Sequence, residues 1–164
     1  MAGGSDIASL EAVIRSARRL SLDGSRATYD LTSGIDFSKP RQTAEAIARV
    51  LWDQDVKAWW SFQGGLPVFA PNRKVEVRLP RDHHRKVAKA AEEFWKDLEN
   101  DEFAPQVRWY VSRVRDERAD WLNIFLWGPL WAYLLQNGEN RARERAELDR
   151  LFGEMAGSIL VTPT

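Results

Sequence analysis

The two histidines of the chain, His83 and His84, follow directly after Asp82 and are the first candidates for chemistry. A histidine beside a carboxylate can act as a general acid or base near neutral pH. Neighbouring residues on a helix point roughly 100 degrees apart, so the two imidazoles cannot easily share one metal ion. Neither has a second histidine three or four residues away, the spacing of a helical metal site. The sequence predicts no metal site and leaves His83 and His84 as acid–base candidates or as structural residues.

Positive side chains surround these histidines. The group comprises Arg81, His83, His84, Arg85 and Lys86, with Lys89 one turn later. A second predicted helix opens similarly, with Lys39 and Arg41 on either side of Pro40. Cations are disfavoured at the positive end of a helix dipole, whereas free amide hydrogens and nearby cations are typical of a phosphate or carboxylate site. We therefore predict an anion-binding surface at these positions. The alternative is that the cations are solvated and paired with acids such as Glu92, Glu93 or Asp97.

Tryptophan is unusually frequent, with eight residues in the chain. Trp59 and Trp60 on a strand would face opposite sides of a sheet, and Trp109 and Tyr110 repeat this arrangement next to Arg108. Aromatic rings interleaved with arginine can stack on single-stranded bases or anchor a protein interface. Trp59, Trp60, Trp109 and Tyr110 are therefore candidate contacts, with simple core packing as the alternative. RNP-type, KH and zinc-knuckle motifs do not accompany them.

Composition and missing motifs exclude several classes of protein. With 24 basic and 24 acidic residues the net charge is zero, so any attraction for polyanions must be local. The lack of cysteine excludes disulfides, thiolate metal sites and cysteine nucleophiles. The sequence contains no GxxxxGK[ST] loop, GxGxxG turn, GxSxG elbow or HExxH helix. We predict no cofactor.

The candidate residues lie on a strand followed by a helix. Val75, Val77 and Leu79 alternate with charged residues, which predicts a half-buried strand over 74–79 that Pro80 ends. From Asp82 the apolar residues recur every three or four positions, as on a helix. The earlier sequence predicts a helix capped by Ser5, a strand over 26–32, a helix opened by Ser38 and Pro40, a strand over 56–63 and an edge segment over 66–70.

The later sequence also predicts alternating elements. Strands are expected over 107–111 and 121–127, with a continuous helix over 113–126 as the competing interpretation. A short helix after Gly128-Pro129, a last helix after Asn140 and a terminal strand over 158–162 follow. Together these patterns predict disordered residues 1–4 and a single α+β domain over 5–164. Its expected form is a mainly antiparallel sheet of five or six strands, with four or five helices packed against it.

A membrane anchor is not expected. The longest apolar stretch, residues 121–135, is about 15 residues long and is interrupted by Asn123 and Gly128-Pro129. A spanning helix needs about 20. The stretch MAGGSDIASLEAV lacks a basic region followed by an apolar run, so no signal peptide is predicted. We expect a cytoplasmic protein.

These observations favour a non-catalytic binding protein over an enzyme. The predicted partner is nucleic acid or another phosphate-bearing ligand, contacted through the basic residues of 81–89 and the strand aromatics. A protein partner or a second copy of the chain, bound through the tryptophan-rich segment 121–133, is the first alternative. The second alternative is a small hydrolase that uses His83 or His84 with an acid from a neighbouring loop.

Overall fold

The computed structural model describes residues 3–63, 66–98 and 158–164. Every element predicted between 107 and 155 lies outside them, as do Trp109, Tyr110 and segment 121–133. The described elements, in chain order, are α1 (Gly3–Ser16), β1 (Arg18–Leu20), β2 (Arg26–Asp30), α2 (Pro40–Gln54), a short 3-10 helix (Val56–Trp59), β3 (Trp60–Gln63), β4 (Leu66–Phe69), β5 (Lys74–Leu79), α3 (Arg81–Leu98) and β6 (Ile159–Pro163).

The main sheet has the strand order β1-β2-β5-β6. β1 pairs antiparallel with β2, and β5 lies parallel to both β2 and β6. The register places Arg26 beside Lys74, and Glu76 between Thr28 and Leu160. Strands β3 and β4 form a separate antiparallel pair.

The predicted fold class was wrong. Within the described residues there are three α-helices, a mixed sheet of four strands and a sheet of two strands, not a mainly antiparallel sheet of five or six. Helix α2 lies between β2 and β5, and a connection that includes a helix allows two strands to pair in parallel. The alternation of buried and exposed residues was misleading because it is typical of antiparallel sheets with one solvated face. The described residues on one face of this mixed sheet are likewise exposed or half-buried.

The core lies between the sheet and its helices. Helix α2 packs against both α1 and α3, and its inward face buries Ala44, Ile47, Val50 and Leu51. The strands contribute Ala27, Tyr29, Val75, Val77, Leu79 and Ile159 to the same cluster. The opposite sheet face is exposed or half-buried and is called the open face below. It carries Arg19, Arg26, Thr28, Asp30, Lys74, Glu76, Arg78, Leu160 and Thr162.

Only the second half of the strand predicted over 56–63 is a strand in the structure. Val56–Trp59 forms the 3-10 helix that follows α2, and the extended backbone begins at Trp60. Trp59 and Trp60 both contact Phe69, with ring centroids 5.8 and 5.0 Å apart, and form an aromatic cluster. Residues 66–69 do form a short strand, as predicted, and Pro67 lies within it.

A buried ion pair joins the first two strands to the end of α2. Asp55 is 3% exposed. It accepts hydrogen bonds from Arg18 Nη2 at 2.6 Å, Arg18 Nε at 3.2 Å and the Tyr29 hydroxyl at 2.6 Å. Burial, together with the bond to Asp55, raises the pKa of the Tyr29 phenol well above its usual value. Every charge in this cluster has a partner, which is the condition under which a buried carboxylate is tolerated.

Candidate anion-binding surface

Both predicted basic groups lie at one edge of the sheet. Because β2 and β5 are parallel neighbours, the helices that follow them, α2 and α3, begin at the same edge. Lys39 precedes α2 and Arg41 lies in its first turn, and both are exposed. The ring of Phe37, in the loop before α2, stacks on His83 at 4.5 Å with an interplanar angle of 8°. This contact joins the loop before α2 to the first turn of α3.

The first amides of α3 are already used within the chain. The Arg81 amide donates to the main-chain oxygen of Thr164 at 3.2 Å. The amides of His83 and His84 both donate to the carbonyl of Pro80, at 3.0 and 2.9 Å. An anion at this edge therefore meets cationic side chains rather than the amides of these three residues.

The cations of α3 form an exposed row. Arg81, Arg85 and Lys89 are four residues apart and so lie along one side of the helix, about 6 Å apart along its axis. We call these three residues the α3 cation stripe; Lys86 is exposed beside it. Like charges at this spacing destabilise a helix. No carboxylate among the described residues lies within ion-pairing distance of the stripe or of Lys86.

Three exposed bases elsewhere in the described part of the chain are paired with carboxylates. Arg15 contacts Asp53, Arg49 contacts Glu45 and Lys57 contacts Asp53. The acids that the sequence offered as partners of the stripe lie further along α3. Of these, Glu93 is exposed and within ion-pairing distance of no described base, and the side chains of Glu92 and Asp97 lie outside the described residues.

The two histidines are half-buried rather than free in solvent. The Nδ1 atom of His83 is buried and has no hydrogen-bond partner among the described residues. Its ring is held flat against Phe37, a contact that favours a packing role. Burial lowers the pKa of the His84 imidazole below its ordinary value of 6.5.

His84 is expected to make stability depend on pH below its ordinary pKa of 6.5. Its folded-state pKa lies below this unfolded value, so the unfolded chain takes up the proton first. The stabilisation is present above pH 6.5 and is lost as the pH falls from 6.5 through the folded-state pKa. Urea unfolding at about pH 7.5 and at about pH 5.5 should show a larger loss of unfolding free energy at the lower pH for the wild type than for His84→Gln. Equal losses of unfolding free energy in the two proteins would show that His84 does not cause this pH dependence. Asp23 does not interfere, because hydrogen bonds from Ser25 and Ser21 lower its pKa to about 2.

Trp59 and Trp60, the aromatic candidates among the described residues, do not lie at this edge. Trp59 is 2% exposed, and its Nε1 donates to Asn72 Oδ1 at 3.1 Å. Trp60 is partly buried against the core. Both follow the carboxyl end of α2, whose 15 residues span about 22 Å from the basic edge. Trp59 therefore offers no ring surface to a ligand, and neither residue adjoins the α3 cation stripe.

The edge of the sheet thus combines two helix starts, a stacked histidine and a row of exposed cations. Comparison with family models, curated proteins and solved structures found no match for the chain. The function of this surface therefore has to follow from its residues.

A cleft next to the surface was not predicted from the sequence. It has a volume of about 250 Å³ and lies between α1 and the loop that leads into α2, lined by Ser9, Leu10, Val13, Gly34, Asp36, Ser38, Lys39 and Gln42. The Oε1 atom of Gln42 is buried without a hydrogen-bond partner among the described residues. Gly34 has a φ of +80°, a conformation that favours glycine.

In the described part of the chain, no group of three or more histidine, aspartate or glutamate side chains could hold a metal ion. None of the described helices is long and apolar enough to cross a membrane.

Proposed function

We propose that this protein is a non-catalytic binding protein whose α3 cation stripe contacts the phosphate backbone of a nucleic acid. The observation that carries the proposal is the stripe itself. Arg81, Arg85 and Lys89 are exposed, share one side of a helix and have no described carboxylate within ion-pairing distance. Their mutual repulsion costs helix stability, and a bound polyanion would remove that cost.

An extended polyanion suits this surface better than a single small anion. From Arg81 to Lys89 the stripe extends about 12 Å along the helix axis, further than one phosphate group can bridge. The amides of Arg81, His83 and His84 are occupied, so they cannot hold a small anion against the helix. Lys39 and Arg41 already have interactions elsewhere in the chain, and the proposal does not depend on them.

The expected mode of binding is independent of base sequence. Phosphate contacts carry no base information, and the described aromatic cluster lies at the far end of α2. The net charge of zero gives no long-range attraction. Affinity should therefore come from a few local contacts and should be modest.

Salt dependence is the direct test of this function. Three phosphate contacts should give a slope of about −2 for the logarithm of the association constant against the logarithm of salt concentration, with single-stranded oligonucleotides. In Arg81→Gln/Arg85→Gln/Lys89→Gln the slope should fall to near zero, and affinity at low salt should fall at least about tenfold. Fluorescence anisotropy with a labelled oligothymidylate measures both quantities.

A matched control removes the same charge elsewhere. Arg15→Gln/Arg49→Gln/Lys57→Gln also removes three cations, but from side chains that already contact carboxylates. This variant should keep the slope of the wild type. If the wild type shows no salt-dependent binding, or if the control variant loses as much affinity as the stripe variant, the proposed function is wrong.

A further inference from the structure

A second group of unneutralised cations lies on the open face of the sheet, away from α3. Arg26 and Lys74 are direct neighbours in the parallel pair β2–β5, both on the open face and both exposed. Arg19 of β1 lies diagonally beside Arg26, since its own neighbour is Thr28. The Arg19 guanidinium donates to the carbonyls of Ser16 and Arg18, at 2.8 and 2.9 Å, near the start of β1. We call Arg19, Arg26 and Lys74 the sheet cation group.

This arrangement is unfavourable for the isolated protein. Like charges on directly neighbouring strand positions destabilise a sheet. No carboxylate among the described residues lies within ion-pairing distance of these three cations. Asp23, in the turn before Arg26, is occupied by hydrogen bonds from Ser21 and Ser25.

The other half of the open face is neutralised by its own charges. Arg78 Nε lies 3.8 Å from Glu76, and Glu76 also accepts a hydrogen bond from the Thr162 hydroxyl at 3.2 Å. Asp30 is the register neighbour of Arg78. The face is therefore positive where its parallel strands begin and slightly negative where they end.

The change from positive to negative charge along the open face determines which kind of partner it can bind. Residues two apart on a strand are about 6.6 Å apart, so a phosphate chain that crossed the sheet cation group along the strands would next meet Glu76 and Asp30. The described part of this face also carries no aromatic ring on which a base could stack. A peptide can change the sign of its side chains over that distance, and the 41% exposed Leu160 offers it an apolar contact. We infer that the sheet cation group docks an acidic peptide segment of a partner protein on the open face.

The test uses the full chain and a fluorescein-labelled peptide of four glutamates followed by four lysines, called the probe peptide, with binding measured by fluorescence anisotropy. Arg19→Gln/Arg26→Gln/Lys74→Gln should weaken binding about tenfold, whereas Arg15→Gln/Arg49→Gln/Lys57→Gln should leave it unchanged. Equal losses in the two variants would show general charge attraction and would overturn the inference, as would failure of the wild type to bind the probe peptide.

A single substitution separates docking from a structural role. Arg26→Glu places an acid beside Lys74, so the thermal midpoint should rise by about 1–3 °C while binding of the probe peptide is lost. Unchanged binding of the probe peptide by this more stable variant would overturn the inference. The inference would also be overturned if the variant kept its binding of the probe peptide but lost affinity for oligothymidylate or lost self-association in sedimentation. The occupant would then be nucleic acid or a second copy of the chain.

Discussion

Asp55→Ala is expected to lower the free energy of unfolding by about 3–5 kcal/mol. The carboxylate is 3% exposed and receives two hydrogen bonds from Arg18 and one from Tyr29. Its removal leaves the guanidinium of Arg18 partly buried without its counter-charge and the Tyr29 hydroxyl without that acceptor. Since β1, β2 and the end of α2 meet at this carboxylate, the loss should appear in the global unfolding transition, measured by urea denaturation.

Asp53→Ala is the matched control, two residues earlier in the chain. Asp53 also contacts two bases, Arg15 and Lys57, but the Asp53 side chain is 52% exposed. Exposed ion pairs of this kind contribute under about 1 kcal/mol. If Asp55→Ala costs no more than Asp53→Ala, the buried pair does not hold these elements together.

Leu51→Ala should lower the free energy of unfolding by about 2–5 kcal/mol. Leu51 is fully buried on the inward face of α2, the helix that contacts both α1 and α3. Truncation leaves a cavity in a close-packed interior, and the loss grows with the volume that the neighbours fail to fill. Chemical denaturation followed by tryptophan fluorescence measures the change.

Leu22→Ala makes the same chemical change at a fully exposed position between β1 and β2. Its effect should stay within about 0.5 kcal/mol. A comparable loss in the two variants would mean that α2 does not occupy the centre of the core.

Local patterns predicted the elements that carry the candidate site. The alternation of Val75, Val77 and Leu79 and the helical period after Asp82 correspond to β5 and α3. The cluster of basic residues at the start of α3 was also identified from the sequence. The sequence could not show that the amide of Arg81 is occupied, because its acceptor is the main-chain oxygen of Thr164, the residue after β6 and far along the chain.

The sequence by itself determined which residues alternate and which recur at helical spacing, because these periods depend only on local backbone geometry. Tertiary structure alone decided that β5 lies parallel to β2 and β6, because the alternation of apolar and polar residues in a strand does not specify the strand with which it pairs. It also decided the environment of Asp55, an acid in a polar-looking stretch that is buried because Arg18 and Tyr29 reach it from 37 and 26 residues away. Both outcomes depend on contacts between residues distant in the chain, which no local period encodes.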